Sequence, residues 1–72
     1  MTRAVNAWAI WHPAQGLLLH SVHANQRGAW AMLNIHARPE EQRTEDGHKA
    51  LGFRAVQVRV KYDEPIDVDL NV

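Results

Sequence analysis

Residues 56–72 have the sequence VQVRVKYDEPIDVDLNV, in which valines alternate first with basic side chains and aliphatic residues then alternate with acidic ones. A period of two is typical of β-strands, because successive side chains point to opposite faces of a sheet. A loop at residues 63–65 would place apolar residues opposite apolar residues and bases opposite acids, in pairs such as Tyr62–Ile66, Val60–Val68, Val58–Leu70, Val56–Val72, Lys61–Asp67 and Arg59–Asp69. This register predicts a C-terminal hairpin. A flexible acidic tail over residues 63–72 is the alternative.

A second hairpin is predicted near the amino end, where two apolar runs flank the turn sequence HPAQG at residues 12–16. With a loop at residues 13–16, the facing pairs are His12–Leu17, Ile10–Leu19 and Trp8–Ser21. Neither face of this hairpin is polar. We therefore expect one face to pack on helices and the other to be covered by more of the chain or by a partner.

Two helices are expected between the hairpins. Asn25 is a good N-cap for a helix that starts at Gln26 and stops by Arg38, because Pro39 follows. The apolar stripe of this helix consists of Trp30, Leu33 and Ala37, with Ala29 and Ile35 near its edges. Thr44 can cap a second helix at about residues 45–51, which Gly52 would end.

The predicted order is β-β-α-α-β-β, which is an α+β fold. We expect one small domain over residues 1–72, with a four-stranded antiparallel sheet and its helices packed on one face. The sequence does not determine the order of the strands in that sheet.

The charge balance gives little indication of a nucleic-acid partner. The 72 residues carry eight bases and eight acids, so the formal net charge is zero. Residues 1–62 hold eight bases and four acids (+4), and residues 63–72 hold four acids and no base (−4). There is no cysteine, no apolar run long enough to span a bilayer and no leader-like amino terminus. We expect a cytoplasmic protein without a membrane partner.

No chemical activity is indicated by the side chains that could support one. The five histidines, namely His12, His20, His23, His36 and His48, lack zinc-finger spacing, so no metal is expected. Ser21 lies beside histidines, but no sharp turn presents it as a nucleophile. The sequence therefore predicts neither an enzyme nor a cofactor.

Binding of another protein has the best physical support. The first hairpin carries more large apolar side chains than one small core can cover, and an uncovered patch containing tryptophan is typical of an interface. The predicted contact residues are Trp11, Leu18 and Val22, which the expected register places on one face, with His20 beside them. The partner is either a second copy, giving a homodimer, or a larger target.

Nucleic-acid binding is the alternative from a different class. Its candidate residues are Arg54, Arg59 and Lys61, with exposed aromatic side chains available to stack on bases. If the C-terminal hairpin forms, Asp67 and Asp69 would neutralise two of these bases. The sequence favours a protein partner for that reason.

Three stretches carry a resemblance to a known group: WAIWHPAQG (residues 8–16), RGAW (residues 27–30) and LGFRAVQVRV (residues 51–60). Together they resemble small uncharacterised proteins of phages and prophages over about residues 8–60, whereas the final IDVDLNV departs from that pattern. The resemblance implies no active site. It implies a setting in which accessory proteins, anti-CRISPR proteins among them, bind and inhibit a host defence or nucleic-acid-processing complex.

Overall fold

The computed structural model describes residues 2–63, which form an antiparallel sheet and two α-helices. The strands are β1 (Thr2–His12), β2 (Gly16–His23) and β3 (Arg54–Asp63). Between β2 and β3 lie α1 (Gln26–His36), a 3-10 turn (Pro39–Glu41) and α2 (Glu45–Ala50). The α+β class expected from the sequence is confirmed.

The predicted four-stranded sheet is wrong, because the sheet built by residues 2–63 has three strands in the order β2-β1-β3. β3 pairs with β1 over their whole shared length, from Thr2 opposite Asp63 to Trp11 opposite Arg54. β1 begins at Thr2, before the apolar run that marked it in the sequence, so it is long enough to accept all of β3. The proposed partner of β3 in the C-terminal hairpin, residues 66–72, lies outside the described residues.

The first hairpin forms, but with a register that differs by one residue from the predicted one. His12 pairs with Gly16, Trp11 with Leu17 and Ile10 with Leu18. The loop is one residue shorter than expected, because Gly16 adopts a left-handed conformation (φ 76°) and already belongs to β2. A residue without a Cβ takes this conformation at little cost, and it lets a three-residue loop close.

An irregularity then shifts β2 relative to β1. Between the pairs Ile10–Leu18 and Trp8–His23, β1 advances by two residues and β2 by five. The buried Ser21 hydroxyl bridges this bulge: it accepts a hydrogen bond from the Ile10 amide (2.7 Å) and donates one to the Leu18 carbonyl (2.6 Å). The serine thus replaces ladder bonds that the bulge removes.

Helix α1 packs across β1 and β2 and closes the core. Ile10 on β1 is fully buried against Ala29, Trp30 and Leu33 of α1. The predicted stripe is therefore confirmed at Trp30 and Leu33. Ile35, expected near its edge, is 68% exposed and points away from the core.

Both predicted N-caps are confirmed. Asn25 accepts a hydrogen bond from the Gly28 amide (2.7 Å), and Thr44 accepts one from the Gly47 amide (3.2 Å). Gly28 has a second role, because a methyl group at this position would overlap the ring of His23 on β2. The absence of a side chain there lets the start of α1 lie directly against the end of β2.

Candidate functional site

The two faces of the sheet have different surroundings. On β1, Trp8, Ile10 and His12 point toward the helices, and this side is the covered face. The alternate residues point away from both described helices, and this side is the open face. Strand pairing and alternation place twelve described residues on the open face: Arg3, Val5, Ala7, Ala9, Trp11, Leu17, Val22, Arg54, Val56, Val58, Val60 and Tyr62.

The middle of the open face is apolar. Ala7 and Ala9 of the central strand belong to this face and are 6% and 0% exposed. Val58 lies opposite Ala7, and Val56 lies opposite Ala9. Larger side chains of the same face remain partly in solvent: Val5 is 48%, Trp11 37%, Leu17 41% and Tyr62 45% exposed.

The four residues predicted to bind a partner do not form one surface. Trp11 and Val22 lie on the open face, whereas Leu18 pairs with Ile10 and packs against the core on the covered face. His20 also lies on the helix side, where its ring meets His36 of α1 edge to face at 5.1 Å between centroids. The shorter loop and the Ser21 bulge account for this separation, since each changes which residues share a face.

The open face contains residues that were not predicted to contact a partner, including Val5, Leu17 and Tyr62. The alternation of Tyr62 with valines was visible in the sequence, but it was assigned to pairing within a C-terminal hairpin. The extent of the face depends on β3 lying beside β1, and no short stretch of sequence shows that contact.

The three candidate bases also divide between the faces. Arg54 lies opposite Trp11 on the open face. Arg59 and Lys61 lie on the other side of β3 and border a recess with Thr2 and Ala4, where the ribbon of β1 and β3 extends beyond α1. Arg59 and Lys61 do share a face, as their spacing predicted.

A cleft of about 450 Å³ lies on the helix side, between the first hairpin, the end of α1 and α2. It is lined by four of the five histidines, which are His12, His20, His36 and His48. The sequence did not predict this grouping, because the four residues come from four different elements or turns.

Two of these histidines make hydrogen bonds that link separate segments of the chain. The Nε2–H of His12 donates to the Leu51 carbonyl (3.0 Å), and its Nδ1 accepts from the Ala14 amide (3.1 Å). His48 donates from Nε2 to Oδ1 of Asn34 (3.0 Å), an atom that also accepts from the Arg43 amide (2.8 Å). These bonds fasten α2 to α1 and to the hairpin turn.

The environment of His48 disfavours its charged form. Burial lowers the pKa of His48 below its usual value of 6.5, and the nearby positive charge of Arg43 lowers this pKa further. Its ring lies nearly parallel to the Trp30 indole (6.5 Å between centroids, 19° between planes), and its Nδ1 atom is buried without a hydrogen bond. A neutral ring fits this apolar position better than an imidazolium.

Within residues 2–63, no three His, Asp or Glu side chains are placed to share a metal ion. In the same range, neither helix has the length and apolar character needed to cross a bilayer. These findings leave the open face and the histidine cleft as the two surfaces with distinctive composition.

No protein-family model, no curated protein and no solved structure matches the chain. The proposals that follow therefore depend on the geometry of the described residues and on the sequence.

Proposed function

We propose that this protein is a binding module that docks another polypeptide on the open face of its sheet. The observation that supports this most strongly is an apolar surface with large side chains in solvent on a face that neither described helix covers. Monomeric proteins rarely expose a contiguous apolar patch of this kind, and such patches mark interfaces.

The shape of the surface favours a polypeptide over a small molecule. Small ligands bind in concave pockets where a few polar groups converge. The open face instead has a broad apolar centre, with aromatic and arginine residues such as Trp11, Tyr62 and Arg54 toward its ends. Tryptophan, tyrosine and arginine are enriched among the residues that dominate protein–protein affinity.

The resemblance to phage and prophage proteins supports a narrower form of the proposal. In that form the protein is a cytoplasmic accessory factor that docks on a host defence or nucleic-acid-processing complex and blocks it, as anti-CRISPR proteins do. The open face would be the surface that contacts the target.

Affinity capture from a bacterial lysate tests the proposal with three matched variants. Trp11→Glu and Val5→Glu each place a carboxylate on the open face, whereas Ile35→Glu does so at an exposed apolar position of α1 on the other side. We expect wild type and Ile35→Glu to capture the same proteins, and both open-face variants to lose them with unchanged circular dichroism. Capture that survives both open-face substitutions would contradict the proposal.

Nucleic-acid binding is a second candidate, favoured by the shared placement of Arg59 and Lys61 on a ribbon that α1 leaves bare. Fluorescence anisotropy of a labelled oligonucleotide at low salt would measure it, because phosphate contacts weaken steeply as salt rises. A double variant with Arg59→Glu and Lys61→Glu should abolish such binding. No anisotropy change with wild type at low salt would exclude this candidate.

A homodimer is the third candidate and makes the open face an interface between two copies. Sedimentation velocity over a range of concentrations distinguishes it from a foreign partner. A dimer that Val5→Glu dissociates would favour self-association, and a single chain at all concentrations would exclude it.

A further inference from the structure

The histidine cleft has the size and the mixed lining of a small-molecule site. Pockets for small ligands typically hold about 300–1,000 Å³ and combine apolar side chains with a few polar groups that converge. The cleft holds about 450 Å³, and Leu18, Leu33 and Leu51 contribute apolar surface to it. It lies on the helix side of the sheet, so a ligand bound there would not depend on the function proposed for the open face.

Three aromatic rings form a connected group in the lining of the cleft. The Phe53 ring lies 4.6 Å from the His12 ring and 5.6 Å from the His48 ring, measured between centroids. All three side chains line the cleft. Aromatic rings pack favourably against one another at centroid distances of about 4.5–7 Å. This group therefore favours a ligand with a flat aromatic body.

The other two histidines of the cleft offer hydrogen-bond donors. His12 and His48 use ring nitrogens in the bonds to Leu51, Ala14 and Asn34 described above. His20 and His36 contact each other edge to face, and within residues 2–63 neither ring makes a hydrogen bond. Both side chains are exposed, and a neutral imidazole still carries one N–H. The pair can therefore donate to an anion in the cleft.

Arg43 adds a positive charge to the same lining. Its Nη1 donates to the Glu41 carbonyl (2.6 Å), which leaves the other N–H groups of the guanidinium for a ligand. Glu41 also lines the cleft, and its carboxylate is 4.0 Å from Nε of Arg38. This balance favours a ligand with one negative charge, because a second charge, as on a phosphate, would be repelled by the Glu41 carboxylate.

We propose that the histidine cleft binds a small aromatic carboxylic acid in its ionised form. The aromatic body packs against Phe53, and the carboxylate accepts hydrogen bonds from Arg43 and from the His20–His36 pair. Hydrogen bonds from a guanidinium to a carboxylate are stronger than those between neutral groups, so they orient the ligand, while the apolar lining supplies burial.

Titration with benzoate tests this proposal, and benzamide serves as the neutral analogue of nearly the same shape. NMR spectra of isotope-labelled protein follow the backbone amides of Leu51 and Phe53 in the cleft and of Val5 on the open face. We expect saturable shifts in the cleft, with a dissociation constant for benzoate below about 5 mM and about tenfold weaker binding of benzamide. Equal affinities, or saturable shifts at Val5 without shifts in the cleft, would overturn the proposal. Absence of any saturable shift would overturn it too.

Two matched substitutions locate the charge that the ligand meets. Arg43→Gln removes the guanidinium of the cleft, and Arg54→Gln removes one from the open face. Arg43→Gln should weaken benzoate binding about tenfold and leave benzamide binding within about twofold, whereas Arg54→Gln should change neither. Unchanged benzamide binding also shows that the cleft is intact in the Arg43 variant. Benzoate binding that survives Arg43→Gln unchanged would contradict the proposal.

The histidine pair is tested in the same titration. The double variant with His20→Ala and His36→Ala should weaken benzoate binding about threefold, as expected for the loss of a hydrogen bond. His23→Ala is the control, because His23 does not line the cleft and should leave the affinity unchanged. Equal benzoate affinities in the double variant and in wild type would show that the pair does not contact the carboxylate.

Discussion

The two faces of strand β1 have different surroundings. Ile10 of β1 points under α1 and is fully buried, whereas its neighbour Trp11 points to the open face and is 37% exposed. Both are large and apolar, so hydrophobicity alone does not decide which becomes core. The location of α1 decides it, and Trp11 stays partly in solvent on the open face.

The largest expected difference in stability between the two faces comes from truncating one apolar residue on each face. Ile10→Ala should lower the free energy of unfolding by about 2–5 kcal/mol, because it leaves a cavity against Trp30 and Leu33. Val5→Ala, at a position that is 48% exposed, should cost about 0.5 kcal/mol or less. Urea unfolding followed by circular dichroism measures both. Equal losses would mean that the open face is as well packed as the covered one.

We expect the second largest effect on stability at the Ser21 bulge. Ser21→Ala should cost about 2 kcal/mol, because the buried Ile10 amide and Leu18 carbonyl would both lose a partner. Leu19→Ala is the control in the same bulge, since Leu19 is 76% exposed and should change stability little. A Ser21→Ala protein as stable as the Leu19→Ala protein would show that the hydroxyl does not hold the bulge.

Gly28 tests the close approach of α1 to the end of β2. Alanine normally stabilises a helix relative to glycine by about 1 kcal/mol, but here its methyl group would overlap the His23 ring. We expect Gly28→Ala to destabilise the protein by about 1 kcal/mol net. Adding His23→Ala should reverse the sign, which thermal unfolding of the single and double variants would show. Additive effects would contradict the overlap.

The smallest expected effect is the contribution of His48 to the pH dependence of the free energy of unfolding. Its folded pKa is lowered by burial and then by Arg43, so the unfolded chain binds the proton more readily. This contribution to stability is complete above pH 6.5, and it falls as pH drops below 6.5 toward the folded pKa. Urea unfolding between pH 5 and 8 should show a shallower slope for His48→Gln than for wild type. Identical slopes would contradict a neutral, buried His48.

The elements that the sequence predicted well are those determined by neighbouring residues. The caps Asn25 and Thr44, and the alternation in β3, depend on interactions within a few positions. The helix stripe was correct at Trp30 and Leu33, but Ile35 was placed too near the core. It lies five residues after Trp30, which is about 140° around the helix from it.

The features that the sequence did not predict depend on distant contacts. β3 pairs with β1 from Trp11–Arg54 to Thr2–Asp63, and no local pattern in the sequence shows that pairing. The register of the first hairpin depends on Ser21 reaching across to Ile10. These two contacts also decide which residues share the open face. The prediction that Trp11, Leu18 and His20 lie on one face was wrong for this reason.

Chemical labelling measures the exposure of the open face most directly, because the chain has no cysteine of its own. Val5→Cys places a thiol on the open face, and Ala29→Cys places one in the covered core, where Ala29 is 0% exposed. With iodoacetamide, the thiol at position 5 should react within about tenfold of its rate in urea, and the thiol at position 29 at least about a hundredfold more slowly. Equal protection of both thiols in a single chain at low concentration would show that the protein covers this face itself, and would contradict an open binding surface.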